Sequence, residues 1–188
     1  MNRIFGVFVI ILLLISGNIF AQQPVTQSDD DKPRSLNGFR VGATYIFFND
    51  GPNGIDEKDA LKDQEIDTPL FAQIGWQFER QYASSSKGAM GVTELVVLLG
   101  GFNQGKIIPS ISGLVGFRLE NGFEFGGGPN ISLSKKPDRK GGGTRIAPGF
   151  VWASGFSTIV GNLYIPLNLA IVQTDSGIRL TILTGFVY

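Results

Sequence analysis

Any catalysis or metal binding in this chain would have to rest on carboxylates, hydroxyls and amines, because its 188 residues include no histidine and no cysteine. Histidine-based triads, thiolate nucleophiles, disulfides and almost every zinc or iron site are excluded for this reason. Glu79 and Glu124 could work as an acid–base pair, but arginines expected beside them would hold both carboxylates in structural ion pairs. The sequence therefore predicts a protein that is not an enzyme and carries no cofactor.

Two charged segments fall outside the regular pattern of the chain. Segment 49–68 is acidic, and oxygen-rich loops can bind Ca²⁺. It lacks EF-hand spacing, so a solvated acidic loop is the favoured interpretation. Segment 135–143 is basic and could pair with the acidic segment or contact lipid phosphates. The formal net charge is zero and no basic run is interleaved with aromatics, which argues against a nucleic-acid partner.

The first 21 residues have the pattern of a secretory signal peptide. Arg3 precedes an apolar run from Ile4 to Ile15, which is short for a membrane-spanning helix. Ala21 is a small residue before the expected cleavage point, whose position the sequence leaves open. Residues 22–37 are polar and aperiodic, and we expect a disordered periplasmic leader there. The remaining domain is predicted to span residues 38–188.

From residue 38 onward, apolar and polar residues alternate in segments of about ten, the length that a tilted strand needs to cross a bilayer. Eight strands are predicted: Gly38 to Phe48, Pro69 to Arg80, Ala89 to Gly101, Ile107 to Leu119, Gly122 to Ser134, Thr144 to Ala153, Thr158 to Val172 and Ile178 to Tyr188. Short connections at 82–88, 120–122 and 154–157 alternate with a set that includes the two longest. Four prolines inside these strands predict bulges or bends: Pro109, Pro129, Pro148 and Pro166.

The two faces of the strands differ sharply, and the size of the barrel indicates which one points inward. An eight-stranded barrel has room inside only for its own side chains, and 15 phenylalanines and two tryptophans would overfill it. The apolar face is therefore predicted to face lipid. The opposite face places seven charged residues in the lumen: Arg40, Glu79, Glu94, Arg118, Glu124, Arg145 and Arg179.

Charges inside a barrel must be paired or hydrated. We therefore predict an ion-pair network in the periplasmic half, around Arg40, Glu79, Arg118 and Glu124, that closes the lumen. The alternative is that some of these side chains are solvated at the rims.

Aromatic residues are predicted to form girdles at the two membrane interfaces. The periplasmic set is Phe39, Trp76, Phe78, Phe117, Phe123, Phe125, Trp152, Phe186 and Tyr188. The set at the other edge is Tyr45, Phe47 and Phe71.

Taken together, the pattern over residues 38–188 resembles the small eight-stranded outer-membrane β-barrels of Gram-negative bacteria, of the OmpA-transmembrane and OmpX type. The most specific part is the C-terminal segment, residues 178–188. In that family, a terminal aromatic preceded by alternating apolar residues is read by the barrel-assembly machinery. Leu180, Ile182, Phe186 and Tyr188 match those positions, whereas Thr184 departs from the pattern.

The resemblance implies an all-β, eight-stranded antiparallel up-and-down transmembrane β-barrel, located in the outer membrane and in contact with its lipid and with the assembly machinery. The favoured function is a non-catalytic barrel with a plugged polar lumen, whose outer loops serve structural, adhesion or surface-interaction roles. A soluble periplasmic, lipocalin-like barrel that binds a small apolar ligand is one alternative. A narrow channel is another. The sequence does not identify a partner of the loops.

Overall fold

The computed structural model describes residues 35–48, 67–85, 88–135, 144–174 and 177–188. The predicted signal peptide, the leader as far as residue 34, the acidic residues 49–66 and the basic residues 136–143 lie outside the described residues. Within the described ranges, no helix has the length and apolar character needed to cross a bilayer.

Eight antiparallel strands form a sheet that closes on itself. Each strand pairs with its sequence neighbours, and the last strand pairs with the first. The predicted all-β, eight-stranded, up-and-down barrel is therefore confirmed. The strands are β1 Ser35–Phe48, β2 Leu70–Ser84, β3 Met90–Gly100, β4 Ile108–Arg118, β5 Phe123–Lys135, β6 Thr144–Val160, β7 Leu163–Thr174 and β8 Gly177–Val187.

The two ends of the barrel differ in their connections. At one end, here called the turn end, lie the connections 85–89, 119–122 and 161–162, together with the start of β1 and the end of β8. The other end, here called the loop end, carries the connections 49–69, 101–107, 136–143 and 175–176. At the loop end, two side chains bind the backbone at the start of β2. Asn103 Oδ1 accepts from Ala72 N, and both Asn103 Nδ2 and Gln104 Nε2 donate to Leu70 O, the latter at 2.8 Å.

The largest error in the predicted strands concerns β6. This strand continues to Val160, so residues 154–157 are not a turn, and the connection to β7 falls at Gly161 and Asn162. A Cβ atom on Gly155 would lie 2.4 Å from Leu167 O, because β7 passes directly against it. The small residues here make room for the neighbouring strand instead of reversing the chain. At the other end of the domain, β1 begins at Ser35, three residues before the predicted boundary at Gly38.

The prediction of bulges at the prolines was wrong. Among the described pairings, the one change of register lies between Gln81 and Ala83 on β2. Pairing of β4 with β5 lapses beside Pro129 and resumes in the same register, and pairing of β7 with β8 does the same beside Pro166. Each proline removes a backbone donor, and beside Pro129 and Pro166 the sheet accommodates that loss by omitting rungs without inserting a residue.

The predicted orientation of the two faces is confirmed. Large apolar side chains on the outside are strongly exposed, among them Val115 at 60% and Leu167 at 58%. Charged side chains point inward and are buried, with Arg40 only 2% exposed and Glu79 only 3% exposed. A water-soluble protein has the opposite distribution.

Three aromatic positions differ from the predicted girdles. Phe71 is buried inside the barrel instead of lying on its outer rim. Trp76 and Trp152 lie near the middle of β2 and β6, because both strands are longer than predicted. Ring pairs do occur towards the turn end, such as Phe39 with Phe186 and Phe117 with Phe125, each with ring centroids 5.9 Å apart.

The sequence predicted a polar interior, but the interior also contains apolar side chains. An apolar cluster of buried side chains occupies part of it: Val96, Leu98, Leu114, Val151, Ala170, Val172 and Leu183. A second, smaller cluster joins Leu36, Tyr164 and Val187 at the turn end. Polar groups are also buried in both halves of the barrel, and these polar groups are the candidate site.

Candidate functional site: the charged barrel interior

Arg118 lies at the centre of the interior charges. It is the last residue of β4, and it faces Glu124 of β5 across the tight turn that joins the two strands. Its Nε donates to Glu124 Oε1 at 2.7 Å. Its Nη1 and Nη2 donate to the two carboxylate oxygens of Glu79 on β2, both at 2.6 Å. This paired geometry is the strongest that a guanidinium makes with a carboxylate.

Neutral side chains extend these ion pairs around the barrel wall. Gln77 Nε2 donates to Glu79 Oε2 at 3.2 Å, and the Ser157 hydroxyl donates to Glu124 Oε1. Asn168 Nδ2 donates to Glu124 Oε2 at 3.4 Å. We refer to these residues, with Arg40, as the turn-end cluster: Arg40, Gln77, Glu79, Arg118, Glu124, Ser157 and Asn168.

Arg40 completes the turn-end cluster from β1. Its Nη2 donates to Asn168 Oδ1, which links it to Glu124 through the amide. Its Nε and Nη1 are buried and have no hydrogen-bond partner among the described residues. Arg40 is therefore held by an amide, whereas Arg118 is held by carboxylates.

Two other predicted lumen charges, Glu94 and Arg179, form none of the described hydrogen bonds of the turn-end cluster. Glu94 is half-buried and lines a cavity of about 20 Å³ together with Glu124 and Asn168. Arg179 lies in the loop half of the barrel, where its Nη1 donates to Ser132 Oγ at 2.6 Å. The side chain of Arg145 lies outside the described residues.

Sequence reasoning missed Ser157, which had been assigned to a turn. The sequence did indicate its inward position, because Ser157 continues the two-residue alternation of Ala147 and Val151, both of which are buried.

The two carboxylates of the turn-end cluster are held in ion pairs. Arg118 engages both Glu79 and Glu124, so neither carboxylate is free to transfer a proton to a substrate. Across the described ranges, no group of three or more acidic, histidine or cysteine side chains is placed to hold a metal ion.

The predicted assembly residues lie along the outer face of the C-terminal strand. Ile182, Phe186 and Tyr188 are exposed, at 54%, 43% and 60%, and Leu180 is half-buried. The end of the chain is tied to β1, because Tyr188 and Asn37 exchange two backbone hydrogen bonds of 2.9 Å. The four side chains are thus presented together on the outer surface beside the seam where the barrel closes.

Replacing Phe186 with alanine is expected to lower the amount of assembled barrel in cells several-fold, because it removes an exposed aromatic from the segment that is predicted to be the assembly signal. The purified variant should still refold in detergent, since Phe186 contributes mainly an outer contact with Phe39. The measurement is the folded fraction in isolated membranes. Ile178→Ala is the matched control, because Ile178 is an exposed apolar residue at the opposite end of β8. Equal losses in both variants would contradict a specific role for Phe186.

Comparisons with known proteins yield a similarity in fold. No family model matches the chain, and no curated protein matches it. The crystal structure of Ail, the attachment invasion locus protein of Yersinia pestis, is similar with a TM-score of 0.52 and 13% sequence identity, covering 82% of this chain and 95% of Ail. A crystal structure of Ail in complex with the heparin analogue sucrose octasulfate gives a TM-score of 0.45 and 11% identity, over 82% of this chain and 97% of that one. The chain thus has the fold of the small eight-stranded outer-membrane barrels.

Proposed function

We propose that the protein is a non-catalytic outer-membrane β-barrel with a closed lumen, whose loops make contacts at the cell surface. The observation that carries this proposal is the inverted distribution of side chains. Large apolar groups such as Ile111, Leu167 and Ile182 are at least half exposed on the barrel wall. A contiguous apolar surface of this kind is unfavourable in water and favourable in lipid.

The filling of the interior supports a closed lumen. The turn-end cluster and the apolar cluster around Val96 and Leu114 both lie inside a barrel of eight strands, which is barely wider than its own side chains. Cavities of about 20 and 50 Å³ in the described interior are too small for the apolar ligand of a lipocalin-like carrier. These features argue against both the carrier and the channel.

The surface role rests on the loop end and on the comparison of folds. Ail, which is named for attachment and invasion, has the same fold, and we extend a role in attachment to this chain as part of the proposal. The short helix at Phe102–Gln104 supports a role of the loop end in surface contacts. Asn103 donates to Leu70 O and Gln104 donates to Thr68 O, so the helix is fixed to the segment that leads into β2.

Membrane location is tested by cell fractionation and by gel mobility with and without boiling. The protein is expected in the outer-membrane fraction, and it should migrate differently before and after boiling in SDS, because folded membrane barrels resist this detergent at room temperature. Recovery in the soluble periplasmic fraction with one unchanging mobility would overturn the proposal.

Attachment is tested separately, in a non-adherent bacterial host that displays the folded barrel. Cells that express the full chain should adhere to epithelial cells or matrix-coated surfaces more than cells with an empty vector. A variant in which residues 51–65 are replaced by a Gly-Ser linker should adhere no more than cells with the empty vector. If the folded barrel confers no adherence, the attachment part of the proposal is wrong while the membrane barrel stands.

A further inference from the structure

Arg179 is an interior cation whose charge is not balanced by its described neighbours. It is the third residue of β8, close to the loop end, and its described hydrogen bond goes to the neutral hydroxyl of Ser132. The interior carboxylates Glu79, Glu94 and Glu124 all lie in the turn half of the barrel. Arg179 is half-buried, so a counter-charge would offset the hydration that it has lost, and the described residues do not provide one.

A polar cavity lies directly beside Arg179. Its volume is about 50 Å³, and Phe71 and Ile108 form apolar parts of its wall. None of its described lining residues is acidic, and its polar groups are Arg179 and the side chains of Thr44, Gln73, Ser110 and Ser132. Three of these are hydroxyls, which can each donate a hydrogen bond.

Gln73 provides an independent sign that this cavity holds a polar occupant. Its Nε2 donates to Thr44 Oγ1, and its Oε1 is buried without a hydrogen-bond partner among the described residues. A buried amide oxygen in that state is costly unless a donor reaches it. Water in the cavity can supply that donor, since a water needs about 10–15 Å³ of such space.

We propose that this cavity binds a small monovalent anion of the chloride type, held by the Arg179 guanidinium and by the Ser110 hydroxyl. Ser132 Oγ accepts from Arg179 and donates to Ala147 O, so it positions the guanidinium. A volume of about 50 Å³ is enough for one small anion together with one or more waters. The anion neutralises Arg179, and an accompanying water donates to Gln73 Oε1.

Direct binding is tested on the full-length barrel refolded in zwitterionic detergent micelles, with chloride itself as the probe. Exchange with a protein site broadens the chlorine NMR line. We expect protein-dependent broadening that falls as bromide is added, because bromide competes for the same position. This measurement needs only the unmodified protein, so it remains decisive even if variants fold poorly. An unbroadened line, or a line that bromide leaves unchanged, would overturn the proposal.

The site is located with one variant and one matched control. Arg179→Gln should abolish the broadening. Arg80→Gln removes the same charge from an exposed position on β2 and should retain it. Equal broadening in the two variants would place chloride elsewhere on the protein and would overturn the assignment to this cavity.

Stability gives a second readout of the same site. At constant ionic strength, replacing fluoride or gluconate by increasing amounts of chloride should raise the unfolding temperature progressively, because a ligand that binds the folded state alone stabilises it with the logarithm of its concentration. The rise should be absent in Arg179→Gln. An unfolding temperature that depends on ionic strength alone would mean that water, and not an anion, accompanies Arg179.

Discussion

Replacement of Arg118 by alanine is expected to lower the free energy of unfolding by about 3–5 kcal/mol, the cost of leaving a buried charge without its partner. Arg118 is only 6% exposed, and it forms ion pairs with Glu79 and Glu124 at 2.6 and 2.7 Å. The variant leaves both carboxylates buried and without their counter-charge. The measurement is urea unfolding of the refolded barrel, followed by tryptophan fluorescence.

Two further variants separate the charge effect from the loss of packing. Arg80→Ala is the matched control, because Arg80 is an exposed arginine on β2, and we expect a change within about 0.5 kcal/mol. The combination of Arg118→Ala with Glu79→Gln and Glu124→Gln should recover part of the lost stability, since residues 79 and 124 then carry no buried charge that needs Arg118 as its partner. If Arg118→Ala lowered the free energy of unfolding as little as Arg80→Ala, the turn-end cluster would not stabilise the barrel.

The alternation of residue types was enough to predict which residues share a face of the sheet, and the narrow interior of an eight-stranded barrel then indicated which face points inward. In a strand, side chains point to opposite faces in turn, so Arg40 and Val41 had to lie on opposite sides whatever the exact strand boundaries. The structure buries Arg40 and exposes Val41. Such a prediction depends on local geometry alone, which the sequence contains.

The connection between β6 and β7 was misplaced because small residues have two structural uses. Ser154, Gly155 and Ser157 have the composition of a turn, but Gly155 gives space to β7 and the Ser157 hydroxyl donates to Glu124 on the neighbouring strand β5. Both uses depend on which strand passes nearby and at what height. That information is set by the tilt and stagger of the whole barrel, which no local window of sequence reveals.

The same limit applies to the pairing of interior charges. Sequence reasoning grouped Arg118 with Glu79 and Glu124, which it contacts. It could not say that Arg179 contacts no carboxylate among the described residues. It also overlooked the apolar part of the interior, although the run from Leu95 to Leu99 is apolar on both faces. Val96 and Leu98 point inward there, opposite the exposed Leu95 and Leu99.

Leu95→Arg is the substitution that most directly tests whether the outer wall faces lipid. Leu95 is 45% exposed and lies at the middle of β3. An arginine on the lipid face costs about 2–4 kcal/mol at the midplane of the bilayer and about 0–1 kcal/mol near the interface. We therefore expect a large loss in the free energy of unfolding when the variant is folded into lipid vesicles and unfolded in urea.

Val160→Arg supplies the matched control, because Val160 is 58% exposed and is the last residue of β6 at the turn end. Its arginine can reach the lipid headgroups and water, so the expected loss is small. A soluble barrel would respond differently, since both positions would already face water and substitutions on a hydrated surface change stability by about 0.5 kcal/mol or less. Equal and small effects at residues 95 and 160 would therefore refute the membrane assignment, whereas a dependence on depth requires a hydrocarbon layer around the middle of the barrel.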